Sequence, residues 1–191
     1  MAIAGPGVVE YSRRPPGKSC SVKRVVGAIL ARLRPSVDGA SFQSFAAWLP
    51  RLLELLPPQR VLEFGPGTST RLVLAHSQAQ IVSVETSRPW FRRYQREFGD
   101  DPRVDLRLRD VGWDMEALAD DVGRGFDLVF VDGGARQAAL FESRSRVSPG
   151  GVVVVHDAHR DDYYWARSRY RYRVPPERRS CIGTADAGAV R

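Results

Sequence analysis

A loop rich in glycine and hydroxyl side chains follows a strand-like run in the sequence VLEFGPGTST, residues 61–70. Gly65 and Gly67 allow the backbone to approach a ligand closely, and the proline between them restricts the loop. The three hydroxyl residues that follow can cap a helix and also bind a ligand. Because such a turn directs backbone N–H groups and a positive helix end outwards, it suits a carboxylate or phosphate. An ordinary strand-to-helix turn is the alternative.

An acidic side chain ends the next strand-like run, IVSVE, at residues 81–85. In a fold of alternating strands and helices, a carboxylate about 20 residues beyond the glycine-rich turn binds ribose hydroxyls, which is the spacing of Glu85 from Gly65. This spacing indicates a nucleoside ligand. Thr70 stands where a dinucleotide site needs a third glycine, so nicotinamide and flavin cofactors are disfavoured. Glu63, just before the loop, would repel a pyrophosphate and favours a cationic ligand.

Acid–base side chains also follow two later strand-like runs. Asp132 ends FDLVFVD, and His156 and Asp157 end VVVVHD. Because the carboxyl ends of parallel strands meet at one edge of a sheet, we expect these side chains to lie close together. His156 is the first candidate for a general base, since an imidazole accepts a proton near neutral pH, and His159 is the second. The alternative for His156 is a hydrogen bond to a loop backbone.

The elements that must position these side chains follow from hydrophobic periodicity. The pattern predicts strands at 60–64, 80–85, 103–109, 126–132 and 151–156, and helices at 69–77, 87–98, 114–122 and 135–146. This alternation predicts an α/β fold, a Rossmann-like doubly wound and mainly parallel sheet with helices on both faces. The run VVVV predicts that the fifth strand is central and buried on both faces, after a turn at 148–151.

The length of 191 residues predicts one domain. Residues 1–19, rich in Gly, Pro and Arg, are expected to form a flexible leader, and residues 20–191 the domain. Within it we expect a helical N-terminal extension at 20–58, a ligand-binding core at 59–160 and a closing segment at 161–191. The extension holds two extra helices, the second of which breaks or restarts near Pro50.

Aromatic residues recur at helical spacing after the second strand. The stripe consists of Trp90, Phe91, Tyr94 and Phe98. Core packing is the favoured interpretation over ligand binding, as it is for Phe45 and Trp48.

The net charge of +7 and the pI of about 10.0 favour anionic partners. No apolar run approaches the roughly 20 residues that span a bilayer, and no secretory signal is recognisable, so we predict a cytoplasmic protein without a membrane partner. Cys20 and Cys181 show no metal-ligand spacing and are read as free thiols. The N-terminal helices and the tail can form a small lid or pair with another subunit, which leaves a homodimer open.

The motifs together resemble those of class I S-adenosylmethionine-dependent methyltransferases. EFGPGTS at 63–69 resembles the first motif, with Ser69 in place of its last glycine. SVE ending at Glu85, LRD ending at Asp110 and DLVFVDGG at 127–134 resemble the second, third and fourth motifs, and SPGGVVVVHDAHR the following strand. The resemblance covers residues 60–160. Within the family, the sequence is most similar to the branch that methylates small molecules and sugars on oxygen.

The resemblance implies a cofactor site for S-adenosylmethionine and its product S-adenosylhomocysteine. Glu85 and Thr86 would bind the ribose side, and Asp110 and Val111 would edge the adenine. Asp132 would lie near the sulfonium, whose positive charge a carboxylate favours. The loop of Gly65, Pro66, Gly67, Thr68 and Ser69 would cradle the amino-acid part, and Glu63 and Phe64, just before it, are also expected to bind the cofactor.

The expected reaction is methyl transfer to a hydroxyl of a small molecule by in-line displacement. A hydroxyl acceptor must lose its proton, which assigns His156, Asp132 and Asp157 as the catalytic candidates. Asp132 and Asp157 can also be read as a Mg²⁺ site, because hard cations prefer carboxylate oxygens. The related metal-dependent enzymes have an aspartate–asparagine pair after the fifth strand, where this chain has His156 and Asp157, so Mg²⁺ is not favoured.

The arginine- and tyrosine-rich tail gives the alternative function. Between Arg160 and Arg179, arginines are interspersed with Tyr163, Tyr164, Trp165, Tyr170 and Tyr172, a composition suited to phosphate contacts and base stacking. An RNA methyltransferase or a basic nucleic-acid-binding protein would use it. The favoured interpretation of RYRYRV is an edge strand with a solvated arginine face.

Overall fold

The structure is a computed structural model that describes residues 45–109, 121–133, 136–158, 170 and 180–183. Several predictions concern residues outside this set: the leader, the first N-terminal helix, all but the end of the predicted helix 114–122, Asp110 and Val111, His159 and most of the tail. Within the described ranges, no helix is both long and apolar enough to cross a membrane.

The described elements alternate between strand and helix after a short helical start. A 3₁₀ turn, Phe45–Ala47, precedes α1 (Leu49–Leu55), which has Pro50 in its first turn, where proline is tolerated, so the predicted restart is confirmed. The others are β1 (Arg60–Phe64), α2 (Thr68–His76), β2 (Gln80–Glu85), α3 (Arg88–Phe98), β3 (Val104–Leu108), β4 (Phe126–Val131), α4 (Arg136–Arg146), β5 (Val147–His156) and β6 (Ser180–Gly183).

The strands form one sheet in the order β3-β2-β1-β4-β5-β6. Pairing is parallel from β3 to β5, and β6 runs antiparallel to β5. The Rossmann-like doubly wound fold is confirmed. The strand order reverses between β1 and β4, and in such sheets ligands bind in the crevice beyond the carboxyl ends of these strands. The prediction that β5 is central is wrong: β1 and β4 hold the centre, and β5 is interior because β6 covers its far edge.

The start of β5 also differs from its prediction. Val147 pairs with Phe126 and Val152 with Leu128, so four residues of β5 bulge opposite Asp127. The predicted turn at 148–151 is therefore an irregularity within a longer strand.

Apolar side chains cover both faces of the sheet. On one face α1 and α2 pack over β1 and β4, and Phe45 and Trp48 are 8% and 0% exposed, which confirms their prediction as core residues. On the other face α4 contributes Ala138, Ala139 and Leu140. Burial on both faces holds the strands, and therefore their carboxyl ends, in fixed positions.

Candidate functional site

A cavity of about 500 Å³ opens beyond the carboxyl ends of β1, β2 and β4. Five of its lining residues are among those predicted from sequence: Gly65, Pro66, Glu85, Thr86 and Asp132. Five others were not predicted: Ser87, Trp90, Tyr94, Gly133 and Arg136. The cavity lies at the point where the strand order reverses, so the predicted place of ligand binding and the observed cavity coincide.

Gly65 and Gly133 bring the ends of β1 and β4 into contact. Gly65 has φ of +92°, a left-handed conformation that favours glycine, and a Cβ on it would lie 2.5 Å from the backbone nitrogen of Gly133. The N–H groups of Asp132 and Gly133 donate to the carbonyl oxygen of Phe64 at 2.8 and 2.7 Å. The loops after β1 and β4 therefore form one continuous wall of the cavity.

Glu63 lies beneath the glycine-rich loop and is not among the residues that line the cavity. Its side chain is 1% exposed. Ser69 Oγ donates to Oε1, and Thr70 Oγ1 and Ser83 Oγ donate to Oε2 at 2.6 and 2.8 Å. Burial raises the pKa of this carboxyl, while the hydroxyl donors act in the opposite direction. Glu63 thus fixes the loop from below.

The hydroxyl residues of the loop share this structural role. Thr70 Oγ1 accepts the N–H of Gly67 at 2.8 Å, which caps the start of α2. Ser69 is buried against Glu63, whereas Thr68 is exposed. Ser69 and Thr70 therefore face the interior, although the sequence pattern also allowed their hydroxyls to bind a ligand.

Glu85 is held at the opposite wall of the cavity. Its Oε1 accepts the N–H groups of Thr86 and Ser87, both at 2.7 Å, so the backbone that follows β2 fixes the carboxylate. No hydrogen bond to Oε2 comes from the described part of the chain. A carboxylate held in this way can accept hydrogen bonds from a ligand's hydroxyl groups.

The aromatic stripe on α3 divides between the cavity and the core. Trp90 is 47% exposed and stacks on Tyr94, with ring centroids 5.7 Å apart. Tyr94 stacks in turn on Phe98, which is 5% exposed. Core packing is therefore right for Phe98 and wrong for Trp90. The reason is that α3 begins at the carboxyl end of β2, so its first turn borders the cavity while its last turn packs against the sheet.

Asp132, His156 and Asp157 come together as predicted, and Arg136 joins them. Asp132 Oδ1 lies 3.1 Å from His156 Nδ1 and accepts a hydrogen bond from Arg136 Nη2 at 2.6 Å. Arg136 Nη1 donates to Asp157 Oδ2 at 3.1 Å. The His156 ring packs edge-on against Phe45, 5.1 Å between centroids. The site thus contains two carboxylates, one guanidinium and one imidazole.

The sequence patterns did not identify Arg136 as a site residue, although its position in a helix was a signal. It occupies the first turn of α4, where the helix dipole disfavours a positive charge. An arginine at that place implies carboxylate partners, which Asp132 and Asp157 supply. The pairing with Asp157 joins residues 21 positions apart, which local patterns do not reveal.

A family model described as a methyltransferase domain matches residues 62–158, just over half of the chain. No curated protein sequence matches the chain. Solved structures with a similar fold include a methyltransferase from Geobacter sulfurreducens, 20% identical with a TM-score of 0.54, over 83% of this chain and 87% of that one.

Two further structures are similar in fold. An O-methyltransferase from Bacillus cereus in complex with S-adenosylhomocysteine (SAH) is 17% identical, with a TM-score of 0.56 over 89% of this chain and 92% of that one. A SAM-dependent O-methyltransferase from Thermotoga maritima is 12% identical, with a TM-score of 0.57 over 77% and 66%. From the matched family model, the strand order and the cavity at its reversal, it follows that the chain belongs to the class I S-adenosylmethionine-dependent methyltransferase family.

Proposed function

We propose that the protein transfers the methyl group of S-adenosylmethionine to a hydroxyl of a small molecule, with His156 as the general base. The observation that carries this proposal is the contact of 3.1 Å between His156 Nδ1 and Asp132 Oδ1, because Asp132 lines the cavity. An imidazole so oriented suits an acceptor whose proton must be removed. The O-methyltransferases of similar fold also support a hydroxyl acceptor.

The residues around the cavity fit the cofactor. The volume of about 500 Å³ falls in the range of cofactor pockets. Gly65 exposes backbone on one wall, where the amino-acid part of the cofactor would lie, and Glu85 presents a fixed carboxylate to the ribose. Trp90 adds a partly exposed aromatic surface to the cavity lining. Asp110 and Val111, which would edge the adenine, lie outside the described residues.

Asp132 would contribute in two ways. Its carboxylate favours the positive charge of a sulfonium near the cavity. It also orients His156: a carboxylate oxygen accepts, so the hydrogen of this contact belongs to Nδ1, which leaves the lone pair of a neutral imidazole on Nε2. The tautomer required of a base is therefore the one that Asp132 selects.

The proposed reaction is a displacement at the methyl carbon, with His156 as the proton acceptor. S-adenosylmethionine, when bound, supplies an electrophilic methyl group on a positively charged sulfur. His156 Nε2 takes the proton of the acceptor hydroxyl as its oxygen bonds to the methyl carbon. The electron pair of the broken carbon–sulfur bond remains on sulfur, so the products are a methyl ether, S-adenosylhomocysteine and an imidazolium. Asp132 stabilises that imidazolium.

Calorimetric titration with S-adenosylhomocysteine tests the cofactor site. We expect Glu85→Ala to weaken binding by about tenfold to a hundredfold, since hydrogen bonds to a charged group contribute roughly 1.5–3 kcal/mol. Glu97→Ala is the matched control, because Glu97 lies on α3 in an exposed ion pair with Arg71. NAD should give no heat. Equal affinities of the wild type and Glu85→Ala would contradict the assignment of Glu85.

Acceptor screening tests the chemistry. Matched sets of small molecules that differ in carrying a hydroxyl, an amine or a thiol would be incubated with the protein and S-adenosylmethionine, and the methylated product identified by mass spectrometry. We expect methyl ethers from the hydroxyl set. Turnover confined to amines or thiols would refute the hydroxyl acceptor while leaving the cofactor site intact.

The nucleic-acid alternative gains no support. Among the aromatic residues that would stack on bases, the structure describes Tyr170, which is 4% exposed. Its hydroxyl donates to the carbonyl oxygen of Leu140 at 2.5 Å, so this ring packs against α4. A buried tyrosine cannot serve as a stacking platform for a base.

A further inference from the structure

Asp132 and Asp157, the two candidate Mg²⁺ ligands from the sequence analysis, lie at one end of the sheet with Arg136 between them. Arg136 Nη2 binds Asp132 Oδ1 at 2.6 Å and the Asp132 carbonyl oxygen at 2.9 Å, while Nη1 binds Asp157 Oδ2 at 3.1 Å. All three side chains are partly buried, with 15% of the arginine exposed against 25% and 28% of the two aspartates. One guanidinium thus spans both carboxylates.

One oxygen of each carboxylate already accepts a hydrogen bond from the arginine. Asp132 Oδ1 takes donors from both Arg136 and His156, and Asp157 Oδ2 takes one from Arg136. Mg²⁺ requires close to six oxygens at about 2.0–2.1 Å in an octahedron. A guanidinium has five N–H donors and no lone pair, so it competes with a cation for these oxygens and cannot help to bind one. Among the described residues, no three His, Cys, Asp or Glu side chains form a metal-binding cluster. The arrangement does not fit a divalent metal.

Charge balance explains why the arginine suffices. Two carboxylates at adjacent strand ends repel each other, and a positive group between them offsets that repulsion. The planar guanidinium fork matches two carboxylates at once, which a lysine ammonium does not. Its place in the first turn of α4 runs against the helix dipole, so the ion pairs and not the helix favour Arg136 there.

We propose that Arg136 takes the place of a divalent metal in the acceptor site. It is a positioning residue that holds Asp132 towards His156 and makes the site independent of metal ions. Because there is no ion to chelate, the acceptor does not need two adjacent oxygen ligands, and a single hydroxyl suffices. This inference concerns the same site as the proposed function and rests on it for the role of His156, but its test does not require methyl transfer.

Binding of Mn²⁺ alone, followed by electron paramagnetic resonance of the free ion, tests the proposal on the full chain. We expect no stoichiometric site in the wild type. Arg136→Ala should create one site with a dissociation constant of roughly 0.1–1 mM, the range of weak carboxylate sites. Adding Asp132→Asn to that variant should abolish it, and Arg136→Lys, which retains a positive charge, should not create it.

Arg146→Ala is the matched control. Arg146 lies on the same helix, is 12% exposed and pairs with Glu142 at 3.1 Å, but lies at the opposite end from the cavity. We expect it to gain no Mn²⁺ site. A cooperative thermal unfolding transition in each variant shows that it is folded. A folded Arg136→Ala that gains no site would overturn the proposal.

The wild type supplies a second test, which does not depend on the folding of Arg136→Ala. One Mn²⁺ bound per chain at sub-millimolar concentration, lost in Asp132→Asn, would show that a metal displaces Arg136 and would also overturn the proposal. If the cofactor assignment fails but Arg136→Ala gains the Mn²⁺ site, the role of Arg136 stands by itself. The two failures are therefore distinguishable.

Discussion

Glu63 lies near the carboxyl end of β1, Asp132 directly follows the neighbouring parallel strand β4, and the two carboxylates have opposite surroundings. Glu63 is 1% exposed and accepts hydrogen bonds from three neutral hydroxyls. Asp132 is 25% exposed and contacts an arginine and a histidine. Neutral donors around a buried carboxylate hold the backbone in place. Charged or titratable partners beside a cavity can instead stabilise the charge of a ligand or take up its proton. The role of each carboxylate is therefore decided by its burial and by the chemistry of its partners. Residue type and position at the strand end do not decide it.

The largest effect expected from the contrast between Glu63 and Asp132 is on turnover, and it is tested by changing His156, the partner of Asp132. His156→Asn retains an N–H donor for Asp132 but loses the basic nitrogen, so we expect kcat to fall by roughly 10²–10⁴ with cofactor affinity unchanged. His76→Asn is the control, since His76 is exposed at the end of α2. Steady-state kinetics with an identified acceptor measures both. A decrease below threefold in His156→Asn would refute the base.

The second effect is on stability. Glu63→Ala leaves three hydroxyls without their acceptor and a cavity in the core, so we expect the free energy of unfolding to fall by about 2–4 kcal/mol. Asp157→Asn removes the charge of a side chain that is 28% exposed and keeps a residue type that tolerates the φ of +55° there, so it should lower the free energy of unfolding by about 1 kcal/mol or less. Urea denaturation of both variants compares them. Equal losses would erase the distinction between the two carboxylates.

The smallest effect is a pH dependence. The folded state raises the pKa of Glu63 above its ordinary value of 4.5, so unfolding releases a proton in the window above that value. The unfolding free energy of the wild type should therefore fall as pH rises through this window, by no more than about 1.4 kcal/mol per pH unit. Glu63→Gln should lack this component. Identical slopes in denaturation series at several pH values would contradict the assignment.

Local patterns predicted the frame of the molecule well. The bounds of β1 and β2 agree with their predictions, because apolar runs bounded by turn residues report directly on strands. The convergence of Asp132, His156 and Asp157 was predictable too, since parallel strands bring their carboxyl ends to one edge.

What the sequence did not reveal depends on contacts between distant residues. A helical stripe has the same spacing whether it faces a core or a cavity, so the pattern by itself predicts a core position for Trp90. Glu63 was expected to face a ligand because position along a strand does not show what covers a side chain. Arg136 is one of many arginines in a basic chain, and its pairing with Asp157 became visible when the fold brought them together.

The contact between Gly65 and Gly133 also limits how the cavity can be redesigned. A Cβ on Gly65 would lie 2.5 Å from the nitrogen of Gly133, and a Cβ on Gly133 would lie 3.0 Å from the nitrogen of Gly65, so neither position accepts a side chain without moving backbone. A combinatorial library aimed at analogues of the cofactor gains nothing from substituting these two glycines. Its diversity belongs on the opposite wall, at Ser87, Trp90 and Tyr94, where side chains already border open space.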